Sequence, residues 1–200
     1  MRIETASRTL YHFEELSEEA QETAIERLSD INVDHGDWYD MDYYKENLAA
    51  IGFENAKIHF SGFWSQGDGA CFDADVDTHK ALNAFLMCNH PARGFDPVLF
   101  GKWLILAERW DIRAHINQLG SIYVHERTRN LVVDYDFSEN AWEKLRIGEC
   151  EELLEQLRVD ACQEIYSILE KEYEYLTSRE AIQETIEANE YEFTEDGGLA

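Results

Sequence analysis

The sequence predicts an α+β fold: an antiparallel sheet of about five strands, helices packed on its apolar face, and a long acidic helical segment at the C-terminal end. Three observations predict it. Apolar alternation of period two flanks a glycine-rich stretch at 61–72 and recurs in three short runs between Ile112 and Phe137. Apolar residues at helical spacing mark the segments before and between those runs. From Glu149 the same spacing, through Cys150, Leu153, Leu154, Leu157, Ala161, Ile165, Ile168, Leu169 and Leu176, continues for about seven turns.

In chain order, residues 7–13 suit a short strand or extended lead-in. Ser17 caps a helix whose first turn holds Glu18 and Glu19, where the helix dipole favours acids, and whose buried stripe is Ala20, Ala24, Ile25 and Leu28. Asp34–Asp37 is a break. A second helix is expected from about Asp37 to Ile51, with Trp38, Met41, Leu48 and Ile51 on one face, and Gly52 ends it. The flanks of 61–72 form a hairpin. Asp77 then caps a short helix through Leu82, Phe85 and Leu86. Asn89–Gly94 reads as loop, and Asp96-Pro97 opens an apolar helix running to Trp110.

Three strands are expected next: Ile112–Ile116, Ile122–Val124, and Leu131–Phe137 after a turn at Thr128–Asn130. Ser138 caps a helix that Gly148 interrupts. The long helix follows, and Thr177 with Glu180 restarts it through Ile186 as a capping box. Residues 138–200 are expected to pack on the rest as part of a single domain.

Packing alone explains the composition of Ser61–Phe72 least. Gly62, Gly67 and Gly69 stand among Ser65, Gln66 and Asp68, with Phe63 and Trp64 at the near edge. Two readings are open. One is a hairpin turn with bulges, since Gly-Asp-Gly is common turn chemistry. The other is a rigid loop of Trp64, Ser65, Gln66, Gly67, Asp68 and Gly69 that meets a partner. The stretch Ser61–Ala70 resembles a motif of small acidic bacteriophage proteins, some of which carry the label antitoxin of a toxin–antitoxin system. Tyr11–Ala20 and Tyr191–Gly197 are similar to the opening and closing phrases of those proteins. The resemblance implies a phage setting and an accessory rather than a structural protein. It assigns no role to any single residue.

Apolar residues make up 44 % of the chain, enough for a packed core, while 42 acids against 17 Lys and Arg leave a net charge of −25 and a pI near 4.4. A nucleic acid held through its phosphates and an anionic membrane surface are both disfavoured as partners. Metal cations and basic proteins, nucleic-acid-handling ones above all, are favoured. The charge also exceeds the magnitude of roughly 2–8 that suffices for solubility. No apolar run reaches the ~18 residues of a membrane span, and Met1–Glu4 does not open a signal peptide, so a cytoplasmic location is expected. Cys71, Cys88, Cys150 and Cys162 are far apart, with no Cys-x-x-Cys pair, and read as buried thiols.

No catalytic pattern stands out. Ser65-Gln66-Gly67 is not a nucleophile elbow, and Asp73-x-Asp75-x-Asp77 lacks the glycine and closing glutamate of a calcium loop. The expectation is therefore no enzyme, no cofactor and no metal. The expected function is an inhibitory binding protein, monomer or homodimer, whose carboxylates imitate nucleic acid and occupy the basic channel of a host defence or toxin protein. The expected acidic surface is Asp37, Asp40, Asp42, Glu149, Glu151, Glu152, Glu155, Glu170, Glu172 and Glu174, with the hairpin loop adding shape specificity. The alternative is a small-ligand or metal site on the polar sheet face, through His59, Asp73, Arg113, His115 and His125. Ser61, Asp75, Asn117, Tyr123, Arg127, Asp134 and Asp136 would share that face.

Overall fold

A computed structural model describes residues 8–36, 38–87, 96–120 and 123–200. The chain divides into two compact units, one of Met1–Tyr39 with Leu169–Ala200 and one of Asp40–Ile168. The expected Asn89–Gly94 loop lies outside the described residues.

In the smaller unit the two ends of the chain meet. Strand β1 (Tyr11–His12) pairs antiparallel with β6 (Glu192–Phe193), Tyr11 opposite Phe193 and His12 opposite Glu192. Helix α1 (Glu18–Arg27) starts as the capping chemistry requires, with Ser17 Oγ accepting from the Ala20 N–H. Helix α7 (Arg179–Ala188) starts the same way, but from Ser178 and not Thr177: Ser178 Oγ accepts from the Ala181 N–H, while Thr177 Oγ1 donates back to the Tyr173 carbonyl. Ala20, Ala24 and Ile25 of α1 and Ile182 and Ile186 of α7 bury a shared core with Phe13, Leu16 and Phe193. Phe13 and Phe193 meet edge-on with ring centres 6.2 Å apart. The Asn32 side chain closes the unit, donating to the Leu176 carbonyl and accepting from Thr185 Oγ1.

In the larger unit α2 (Met41–Ala50) precedes a hairpin of β2 (Phe53–Ser61) and β3 (Gly69–Val76). Helices α3 (Thr78–Met87) and α4 (Pro97–Glu108) follow, then β4 (Ile112–Gln118), β5 (Arg129–Tyr135), α5 (Glu139–Leu145) and α6 (Ile147–Leu176), whose last turns belong to the smaller unit. Asp77 and Asp96 cap α3 and α4 as expected. Phe53, Phe72, Leu82, Trp103, Ile112, Leu131, Ile147 and Leu154 are buried in its core. The Trp103 indole N–H is satisfied there by the Leu145 carbonyl at 2.7 Å.

Several expectations are corrected. Helix α2 starts at Met41, not near Asp37, because the Asp40 side chain accepts from the Asp42 and Tyr43 amides and makes itself the cap. The helical break near 148 falls at Arg146, which takes a left-handed conformation (φ 49°), while Gly148 lies inside α6. Thr128 ends a 3-10 turn (Glu126–Thr128), and Arg129 and Asn130 are strand.

The largest correction is to the sheet. The described strands form three two-stranded antiparallel sheets, β1–β6, β2–β3 and β4–β5, rather than one of about five strands. The reason lies at the strand edges. Leu131 and Val133 of β5 donate their outward amides to the carboxylates of Glu155 and Glu151 on α6, at 2.8 and 3.2 Å. On the far edge the Ala114 amide of β4 donates to Thr78 Oγ1 of α3 at 2.8 Å. Side chains thus occupy positions that a neighbouring strand would need. The expected strand Ile122–Val124 is not formed by its described residues: Tyr123–His125 is irregular, and the Val124 carbonyl accepts from Ser61 Oγ (3.2 Å).

Candidate functional site

The hairpin connection 62–68 is a locked structure. Asp68 Oδ2 accepts the amides of both Trp64 and Ser65, at 3.0 and 2.6 Å, and the Asp68 amide donates back to the Ser65 carbonyl. Asp68 is therefore a loop-bracing group, with its carboxylate turned onto its own backbone. Gly67 has φ 103°, and a Cβ there would meet the Tyr123 ring at 3.2 Å; a Cβ on Gly69 would come within 2.6 Å of His125 Cβ. Both glycines are required by the close passage of residues 123–125. From the other side Tyr166 of α6 donates to the Gly62 carbonyl (3.2 Å), and its ring packs on Phe63 at 5.6 Å. The net result is a rigid mount with Ser65 and Gln66 exposed and the Trp64 indole 75 % exposed.

The residues expected on one polar sheet face separate into two groups. In the first, Arg129 Nε and Nη2 donate to both oxygens of Asp73, at 2.6 and 3.3 Å, and His59 Nε2 lies 3.2 Å from Asp73 Oδ2. Hydrogen bonding from Arg129 holds the Asp73 carboxyl below its usual range against the opposing effect of burial, and His59 adds to the lowering. In the second, His115 Nδ1 meets Asp134 Oδ2 at 3.0 Å, with Arg113 exposed beside them on the same strand. His125 belongs to neither group: its Nδ1 accepts from the Arg127 amide and caps the 3-10 turn.

Sequence reasoning missed the two buried arginines. Arg129 is 7 % exposed, and Arg158 of α6 is fully buried. Arg158 is held by both oxygens of Glu155 and by the Glu126 carbonyl, with Cys162 Sγ at 3.6 Å. Arg158 falls on the buried side of the α6 helical repeat, between Leu154 and Cys162, which was the available signal. Cys71, Cys150 and Cys162 are free, buried thiols as expected, and burial pushes Cys150 and Cys162 up to about 12, far from thiolate chemistry. Cys88 is outside the described residues. Among the described residues no three His, Cys, Asp or Glu side chains converge on a metal position.

The acidic surface moves. Within the larger unit Asp40 is a helix cap, Asp42 pairs with Lys45, Glu149 pairs with Arg146, and Glu151 and Glu155 hold the β5 edge. Only Glu152 of that unit's expected set is exposed without such a role; Asp37 lies outside the described residues. In the smaller unit Glu174 is exposed, and Glu170 and Glu172 are half-buried. That unit carries 20 acids against 5 Lys and Arg, a net of −15, whereas the larger one carries 22 against 12, a net of −10. Its exposed acids include Glu14, Glu18, Glu19, Glu26, Glu184, Glu187 and Glu190, none of them in the expected set. They were missed because they lie at opposite ends of the chain and become one surface only when β1 pairs with β6.

Residues 38–179 match the sequence model of a family described as a domain of unknown function, DUF8835, and the chain belongs to that family. No curated protein and no solved structure matches it.

Proposed function

We propose that this member of the DUF8835 family is a non-enzymatic acidic binding protein that engages a basic, nucleic-acid-handling protein through its smaller unit. One observation carries the reading. Among the described residues of that unit, 16 exposed carboxylates face 4 exposed Lys or Arg. Such a surface repels phosphate backbones and attracts a basic channel, which speeds association and excludes acidic competitors. Of the three phage-like stretches, 11–20 and 191–197 fall in this unit and 61–70 in the larger one; together they favour a host defence or toxin protein as the target. Less supports a ligand site on the polar sheet face, because Asp73 is occupied by Arg129 and His125 caps the 3-10 turn.

Capture from host extract tests the proposal. A basic DNA- or RNA-binding protein retained at low salt is expected to be lost in a wash of about 0.5 M salt, where the screening length falls to a few ångströms. Replacing Glu18, Glu19, Glu26 and Glu184 by Gln should slow association more than it speeds dissociation. Retention unchanged at high salt would sink the charge-imitation mechanism.

A further inference from the structure

The smaller unit contains an open cleft of about 410 Å³ between a 3-10 turn that follows β1 (Phe13–Glu15) and the C-terminal end of α7. We infer that this cleft seats an arginine side chain of the basic partner, an inference that rests on the binding function proposed above. Phe13, Ile186 and Tyr191 line the cleft; the first two are buried, so the half-buried Tyr191 is the apolar surface it presents. The rim is anionic. Glu14, Glu187 and Glu190 are exposed around it together with His12, and among the described residues no Lys or Arg lines it. Glu15 is already occupied by the His12 amide at 2.8 Å, and one oxygen of Glu187 by Gln183 at 2.7 Å. Glu14 and Glu190 are therefore the carboxylates best placed to meet an incoming cation.

An aromatic side wall with an anionic rim suits a cation that is flat and weakly hydrated. A guanidinium lies against an aromatic wall while donating two parallel hydrogen bonds to a carboxylate; an ammonium does neither as well. The volume lies at the lower end of the roughly 300–1,000 Å³ of ligand pockets, suited to one long side chain rather than to a folded element. The backbone carries a second sign. Glu190 follows α7 in the left-handed region (φ 53°), the position where glycine closes helices at least strain. A glutamate there gives up stability and places a carboxylate on the rim.

The test titrates the isotope-labelled full chain with an acetylated, amidated tetra-arginine peptide and with its tetra-lysine counterpart, at low salt. Saturable amide shifts are expected at Glu14, Ile186, Glu190 and Tyr191, with the arginine peptide binding about two- to five-fold more tightly. Tyr191→Leu should remove that preference. Glu190→Gly should weaken the arginine peptide several-fold while raising the unfolding midpoint, so that lost binding cannot be mistaken for lost folding. Equal affinities for the two peptides, with shifts spread evenly along α1 and α7, would overturn the cleft. That result would leave salt-sensitive capture of the partner untouched, which tests the proposed function separately.

Discussion

Trp110 closes α4 in the left-handed region (φ 64°), its amide donating to the Ala107 carbonyl and its indole 74 % exposed. A residue with a Cβ costs about 1–2 kcal/mol there, and an indole so exposed returns little burial. Trp110→Gly is expected to raise stability by about 1 kcal/mol in urea unfolding. A loss of stability would show that the indole packs more than its exposure indicates. Asp73 makes the opposite kind of contribution. Its carboxyl titrates below the unfolded-state value, so its ionised form favours folding. That stabilisation is present above the unfolded value of about 4 and is lost as pH falls through the lower folded value. The stability difference between wild type and Asp73→Asn should therefore be largest near neutrality and shrink below about pH 4 in a pH series of denaturant melts.

At the scale of elements, α6 determines how the larger unit ends its sheets. Its apolar stripe was readable from spacing, and Cys150, Leu153, Leu154, Leu157, Ile165 and Leu169 are buried as that spacing requires, while Cys162 is buried beside the expected Ala161, which is half-buried. Its carboxylates were not readable. Glu155 serves both the Leu131 amide and the buried Arg158. Glu155→Ala leaves that guanidinium without its counter-charge and should cost about 3–5 kcal/mol, against about 1 kcal/mol for Glu151→Ala, which loses one edge amide. Equal small effects in chemical denaturation would mean that water replaces Glu155 around Arg158. The double variant should also self-associate in sedimentation, since it uncovers the β5 edge.

At the scale of the molecule, the family match over residues 38–179 covers all of the larger unit and only a little of the smaller one, while the densest charge sits in the smaller one, made from the two ends of the chain. A functional assay on residues 38–179 alone would omit Phe13, Glu14, Ile186 and Glu190. Among the described residues no helix is long and apolar enough to cross a membrane.

The sequence by itself determined what depends on neighbours a few residues away. Ser17, Asp77 and Asp96 start helices because a side-chain oxygen reaches an amide two or three residues on, and apolar spacing named the buried faces of α1, α6 and α7. It also determined the total charge. The tertiary structure decided which acids remain on the surface and which strands pair. Glu151 and Glu155 read as surface charge until β5, some 20 residues earlier, presents amides to them. A carboxylate near unpaired amides binds them rather than remaining in water, and whether such amides lie within reach is set by contacts distant in sequence.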